Sequence, residues 1–293
     1  MRFSSFIVDG RESFGAVLDS GIVDLGGRQS KIRNLKHAIE SIRLEELWEI
    51  ALASSLDYEN SEIQFLSPIP NAGKIICIGV NYKNRNAEYK DGSQEAKYPS
   101  VFMRAKESLV GHKQFIVQPL ESSQLDYEGE IVLVIGASGR RIPAESAYRH
   151  IAGLTLMNEG SVRDWMRHSK FNVTQGKNFS KSGSSGPWLV TPETCDPLQT
   201  LKIETRVNGE TRQSDTTANL TFSFAYLIQY LSTFYELKAG DMIATGTPNG
   251  AGARLNPPKY LKPGDEVEVE VKEIGALKNK IISEKEYSDS KPS

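Results

Sequence analysis

The acidic stretch Asp126-Tyr127-Glu128-Gly129-Glu130 runs straight into Ile131-Val132-Leu133-Val134-Ile135, one of the most apolar short runs of the chain. Alternate side chains of a strand share a face, so Asp126, Glu128 and Glu130 would point the same way. Carboxylates gathered beside a buried strand repel one another, and they stay ionised together only where a cation or several donors compensate them. Two readings are open. The acids sit at a solvated strand end, or they hold a hard divalent cation such as Mg²⁺, Mn²⁺ or Ca²⁺ through oxygen ligands. A further acid, Glu159, ends the run Leu156-Met157-Asn158 and precedes Gly160, while Asp164 beside Arg163 reads as a helix-face or ion-pair residue. Lys177 stands just ahead of the Gly/Ser-rich stretch Ser182-Gly183-Ser184-Ser185-Gly186-Pro187, which reads as a loop, and by itself it is either solvated or a stabiliser of negative charge. Around Gly246 and Thr247 a strand enters a glycine-rich turn, which either binds an anion through its amides or is only a turn.

Composition narrows the chemistry further. Among 293 residues, 35 Lys and Arg balance 37 Asp and Glu, a net charge of −2 that gives no footprint for nucleic acid. Only four histidines occur, His37, His112, His150 and His168, so a His-rich zinc site is excluded. Cys77 and Cys195 lie too far apart in sequence for a C-x-x-C site and are too few for a disulfide framework. Acid–base or metal chemistry must therefore lean on carboxylates and lysine. No apolar run reaches membrane-spanning length and no export signal is visible, so the expectation is a cytoplasmic protein with no membrane partner.

The elements that must position these residues fall into two groups. Residues 1–68 read as a small N-terminal domain, with strands at Phe3–Val8, Phe14–Leu18 and Ile22–Leu25 and helices at Leu35–Ile42 and Leu44–Leu56. Pro68-Ile69-Pro70-Asn71 reads as a linker, and residues 69–293 read as a second, strand-rich domain. Its strands are expected at Lys74–Val80, Ser100–Met103, Glu130–Ile135, Leu154–Asn158, Trp188–Thr191, Leu201–Val207, Asp241–Thr245 and Glu266–Val271. Asn208-Gly209 predicts a type I′ hairpin. Helices are expected at Ala144–Ile151, Val162–His168 and Phe222–Tyr235, and a frayed polar end at Glu284–Ser293. Eight or more strands against three helices in that domain predict a β-rich α+β fold. No G-x-G-x-x-G unit, P-loop or G-x-S-x-G elbow is present.

Taken in order, these segments resemble the fumarylacetoacetate hydrolase superfamily over roughly Lys74 to Ile281. The resemblance rests on Ile78-Gly79-Val80-Asn81-Tyr82, Asp126-Tyr127-Glu128-Gly129-Glu130, Gly139-Arg140-Arg141-Ile142-Pro143, Asn158-Glu159 with Arg163-Asp164, and Gly176-Lys177. It continues through Leu237-Lys238-Ala239-Gly240-Asp241, Thr245-Gly246-Thr247-Pro248 and Leu261-Lys262-Pro263-Gly264-Asp265. It implies a catalytic fold of mixed sheets with few helices behind a small N-terminal domain, usually in a homodimer. It also implies one Mg²⁺ or Mn²⁺ per subunit on Glu128, Glu130 and Glu159, with Asp126 in a supporting role. Lys177 matches the family's active-site lysine, Gly246 and Thr247 match a substrate-binding loop, and Arg104 matches a basic position able to pair with a substrate carboxylate.

Three departures stand out against that pattern. The third ligand is Glu159 where relatives carry Asp, and Met166 stands where many carry a substrate-contacting Gln. In Asn81-Tyr82-Lys83-Asn84-Arg85-Asn86-Ala87-Glu88, Arg85 replaces the lid histidine that works with a glutamate, here Glu88. Arginine stays protonated and cannot be a general base, which leaves Glu88 for that role, and an Arg85–Glu88 pair on a solvated helix is the plain alternative. The implied activity is metal-dependent hydrolytic C–C cleavage of a small 2-oxo acid or acylpyruvate-like carboxylate through a stabilised enolate. Arg85 raises the claim of isomerisation, decarboxylation or dehydration, and a non-catalytic binder of 2-oxo acids is the reading from another class.

Overall fold

The computed structural model describes residues 1–29, 31–41, 44–83, 88, 96–168 and 173–290. Its strands in chain order are β1 (Arg2–Val8), β2 (Arg11–Leu18), β3 (Gly21–Asp24), β4 (Gln64–Phe65), β5 (Ile75–Gly79), β6 (Ser100–Met103), β7 (Leu109–Val110), β8 (Phe115–Gln118) and β9 (Leu125–Asp126). There follow β10 (Gly129–Ile135), β11 (Ile151–Asn158), β12 (Ser161–Val162), β13 (Gly183–Val190), β14 (Lys202–Val207), β15 (Glu210–Thr216), β16 (Met242–Ala244), β17 (Glu266–Val271) and β18 (Gly275–Ser283). Eleven of them make one large sheet, in the order β3-β2-β1-β13-β11-β10-β16-β5-β6, with β4 on β1 and β7 on β13. Five make a second sheet, β15-β14-β17-β18-β8, and β9 pairs with β12. Neighbours are antiparallel except β16–β5, β13–β7 and β18–β8. The β-rich fold with few helices is the one expected.

β10 sits at the middle of the large sheet and is buried along its whole length. Its two faces serve different cores. Ile131, Leu133 and Ile135 pack with Ile203 and Val269 of the second sheet and with Leu227 and Leu231 of the helix Phe224–Phe234. Val132 and Val134 pack with Phe3, Phe14, Leu35 and Leu47 from the first fifty residues. That double burial is why the segment carries no polar alternation. The N-terminal strands lie on the same sheet, because β1 pairs with β13 through Arg2–Val190 and Phe3–Leu189. Among the described residues no helix is long and apolar enough to cross a membrane.

Several local expectations change. The acidic run is not one strand: β9 ends at Asp126, β10 begins at Gly129, and the two belong to different sheets. The Gly/Ser-rich stretch opens the strand β13, which runs beside β11 and pairs on its other side with β7 at Gly183-Ser184 and with β1 at Leu189-Val190. A Cβ on Gly183 would meet the Asn158 carbonyl oxygen of β11 at 2.7 Å. The helices expected at Ala144–Ile151 and Val162–His168 are 3₁₀ turns, Ala144–His150 and Arg163–Arg167. The chain end forms a helix, Glu284–Asp289, because Ser283 and Glu286 make a capping box. The Asn208-Gly209 turn does join β14 to β15, with φ of 52° and 79° at the two residues. The helix expected at Leu35–Ile42 runs Leu35–Ser41, and Ile42 lies outside the described residues.

Candidate active site

Glu128, Glu130 and Glu159 line one cavity of about 440 Å³ together with Lys177, Arg163 and Thr247. Ile78, Val80, Val101, Phe102, Met103, Met166 and Val173 supply its apolar wall. The acids arrive from two adjacent strands. Glu130 is the second residue of β10, and Glu159 follows β11 directly, where its N–H donates to the Glu128 carbonyl at 2.7 Å. Asn158 holds the same junction by accepting from the Glu128 N–H at 3.0 Å. Val80, at the mouth of β5, takes φ 55°, a left-handed conformation that costs a β-branched residue about 1–3 kcal/mol. The Asn81 side chain fixes that bend, donating to the carbonyls of Phe222 and Thr245 and accepting from Phe222 N–H.

Charge in the site is dense and buried. Lys177 is 3% exposed, and its Nζ is clasped between Glu128 Oε2 and Glu159 Oε2, the latter at 2.6 Å. The Phe102 ring lies 5.1 Å from the same ammonium. Burial works against the charged form of Lys177, but Glu128 and Glu159 outweigh it and raise its pKa above the ordinary lysine value. Arg163 pairs with Asp126 at 2.7 Å and with Glu128 at 3.0 Å. Ser161 Oγ donates to Glu128 Oε2 at 2.7 Å. Glu130 has no cationic partner among the described residues and accepts one hydrogen bond, from Gly246 N–H at 2.9 Å. Its pKa is pushed well above the carboxylate range, first by burial and then by the charges of Glu159 and Glu128.

The donor set suits a hard divalent cation. Four buried carboxylates, Asp126, Glu128, Glu130 and Glu159, face two buried cations, Arg104 and Lys177, and the partly buried Arg163, and the charge deficit falls on Glu130. Carboxylate oxygens gathered at one side of a cavity are what Mg²⁺ or Mn²⁺ selects. As the described residues stand, no three acidic, histidine or cysteine side chains close around a common point. The Lys177 ammonium fills the gap between Glu128 and Glu159.

Several expected site residues are placed differently from the sequence reading. Arg104 does not face the cavity: its NH1 holds Glu159 Oε1 at 2.9 Å and the Gly160 carbonyl at 2.7 Å, and the rest of the guanidinium is spent on Ser108 and Ser182. The Gly246 amide serves Glu130 instead of a ligand, and the residue has φ 103° and lies against Asn81, where a Cβ would meet the Asn81 Cβ at 2.7 Å. Asp126 turns away from Glu128 and Glu130 to accept from Gly252 and Ala253 N–H and from Arg163. Asp164 accepts from Ser122 Oγ at 2.6 Å. Glu88 Oε1 accepts the Gly250 N–H at 2.7 Å, and Arg85 lies outside the described residues.

Two residues escaped the sequence reading. Arg163 stood only in a motif, and nothing in its neighbours signals that it is the counter-ion of the buried Asp126 and Glu128. Gln213 comes from the polar arm Glu210-Thr211-Arg212-Gln213, yet it is 1% exposed and touches Thr247. None of the four histidines lines the cavity.

Comparison with known proteins gives concordant matches. Residues 74–282 match the family described as fumarylacetoacetate (FAA) hydrolase, C-terminal. The chain is 42% identical over 230 residues to the oxaloacetate tautomerase YisK of Bacillus subtilis (strain 168), covering 78% of this chain and 76% of that protein. A probable 2-hydroxyhepta-2,4-diene-1,7-dioate isomerase from Mycobacterium abscessus superposes with a TM-score of 0.78 at 30% identity, over 97% of this chain and 99% of that one. A fumarylacetoacetate hydrolase from Exiguobacterium antarcticum does so with a TM-score of 0.80, also at 30% identity and over the same shares.

Proposed function

This chain belongs to the fumarylacetoacetate hydrolase family and is an enzyme of it, and we propose that its reaction is keto–enol interconversion of a small 2-oxo dicarboxylate of the oxaloacetate type. The observation that carries this reading is the buried Lys177 ammonium clasped by Glu128 and Glu159 in a cavity that no histidine lines. Hydrolytic C–C cleavage needs an activated water as well as charge stabilisation. Tautomerisation needs only a place for the enolate charge and a proton to exchange. The tautomerase activity named for the 42%-identical relative supports the same choice.

In this reading Glu128, Glu130 and Glu159 hold one Mg²⁺ or Mn²⁺, which when bound supplies Lewis acidity to the 2-oxo group. Lys177 holds a proton at Nζ beside the carbonyl oxygen and gives it up as the enol forms. Glu88 accepts the proton that leaves the neighbouring carbon. Arg85 remains cationic throughout and takes no part as a base. The apolar wall of Phe102, Met103, Met166 and Val173 keeps water from the reacting carbon. The same reading includes a cytoplasmic homodimer, which sedimentation at twice the 32.5 kDa chain mass would support.

The test is to follow decay of enol absorbance after mixing oxaloacetate with the purified protein and Mg²⁺, with pyruvate release measured in parallel. Accelerated equilibration that EDTA abolishes, without release of a cleaved fragment, is the expected result. Efficient cleavage of acylpyruvates with no effect on the oxaloacetate equilibrium would replace this reading with the hydrolytic one.

A further inference from the structure

Gln213 is the one buried residue of the seven in β15, the edge strand of the second sheet. It is brought inward by a bulge: Gln213 pairs with Thr205 and Thr211 with Arg206, so Arg212 is the extra residue. Its amide makes three hydrogen bonds. Oε1 accepts from Gly129 N–H at 3.0 Å, at the peptide between Glu128 and Glu130. Nε2 donates to Thr247 Oγ1 at 2.8 Å and to the Pro248 carbonyl at 2.8 Å. The orientation of the amide is fixed by these partners. A flip would set Nε2 against the Gly129 N–H and Oε1 against a carbonyl oxygen.

That orientation fixes Thr247 as well. A hydroxyl has one proton to donate, and here its oxygen is already accepting from Gln213. Thr247 is 5% exposed, lines the cavity and has no other hydrogen-bond partner among the described residues. We propose that Gln213 is a positioning residue that makes Thr247 a one-way donor, its hydroxyl aimed at a carboxylate oxygen of the bound substrate. The chain of donors then runs in a single direction, from the Gly129 amide through Gln213 and Thr247 to the ligand, and each bond polarises the next. This inference rests on the cavity being the substrate site, but not on which reaction occurs there.

The experiment measures binding of oxalate, a non-reacting carboxylate probe, to the protein in Mg²⁺ at pH 8 by calorimetry, alongside KM and kcat for oxaloacetate. Thr247→Val and Gln213→Leu should each weaken oxalate by about 10-fold and raise KM with kcat nearly unchanged. The double variant should bind no more weakly than Thr247→Val, because both remove the same contact. Gln213→Glu should lose at least as much as Gln213→Leu, since its carboxylate accepts the Thr247 proton and turns it away from the cavity. Thr247→Ser should stay within about 2-fold. Should Gln213→Leu fail to fold, the Gln213→Glu and Thr247→Val double variant takes its place with the same expectation.

Losses that multiply in the double variant, parent-like oxalate binding by Gln213→Glu, or no oxalate binding to the unmodified protein would each overturn the assignment. If oxalate behaves as expected while oxaloacetate is not tautomerised, the assignment stands and the proposed reaction falls. Normal tautomerisation with multiplying losses overturns the assignment and leaves the proposed reaction standing.

Discussion

At the scale of single residues, the site is a set of carboxylates each held by a named donor, and removing a donor has a defined cost. Lys177→Met deletes the ammonium between Glu128 and Glu159. Turnover should fall by about 10²–10⁴-fold, as for loss of a proton-transfer group. The same variant leaves two carboxylates facing each other, so Mg²⁺ should raise its melting temperature more than it raises that of the parent protein, read by calorimetry. Arg104→Met breaks a fully buried pair, leaving Glu159 to share the Lys177 ammonium with Glu128 and the Gly160 carbonyl without its guanidinium donor. About 3–5 kcal/mol should be lost in urea unfolding carried out in EDTA, the usual penalty for breaking a buried pair on one side. That these residues gather was legible in the ordered family motifs: Glu128, Glu130, Glu159, Lys177 and Thr247 all line the cavity. What each contacts was not. Arg104 and Gly246 look like ligand contacts in the sequence, yet both are spent holding acids, because hydrogen-bond partners come from strands more than fifty residues apart.

At the scale of elements, one histidine records how the second sheet meets the N-terminal segment. His112 packs edge-on against Phe65, their centroids 5.3 Å apart, and its Nδ1 accepts the Lys278 N–H of β18 at 3.1 Å. Burial, with Lys113 and Lys278 nearby, pushes its pKa down from 6.5 to about 4. The folded state therefore binds fewer protons than the unfolded one between those values, and stability rises with pH across that window. About 3 kcal/mol should be present above pH 6.5 and lost progressively as the pH falls towards 4. Urea midpoints at pH 7.5 and 4.5 test this, and His112→Asn, which keeps an acceptor near the Nδ1 position, should flatten the difference. The sequence marked most strands of the central sheet through their apolar runs and the β14–β15 turn through Asn208-Gly209. Of β13 it placed only the end, Trp188–Thr191, and Gly183-Ser184-Ser185-Gly186 reads as a loop by composition, since the demand for a small residue comes from β11 beside it, where a Cβ on Gly183 would meet the Asn158 carbonyl oxygen at 2.7 Å. It also joined β9 to β10, because a break that depends on tertiary partners of Asp126 leaves no local signature.

At the scale of the whole molecule, the large sheet runs without interruption from the first strands to the acids. β1 covers one edge of β13, and Phe3 and Phe14 share a core with Val132 and Met157. A chain lacking residues 1–68 should therefore expose the β13 edge and that core, and should be recovered as aggregate or as a species binding a hydrophobic dye, as judged by size exclusion. The order β3-β2-β1-β13-β11-β10 could not be read from the sequence, which showed a turn-rich opening segment and a Pro-rich linker but not which strand receives it. Gly129 carries a last consequence. It lies between Glu128 and Glu130, and any side chain there would strike Thr205 Oγ1 at 2.1 Å and Val269 at 3.1 Å, so the two sheets touch at the acids themselves. Tolerance to substitution should accordingly be unequal. Changes at the Met103, Met166 and Val173 wall alter the cavity lining without touching the acids, while changes at the inner face of the second sheet reach the acids within one residue. New specificities should enter from the apolar side, and a directed-evolution library confined to that wall should yield more active variants than one confined to Thr205, Gln213 and Val269.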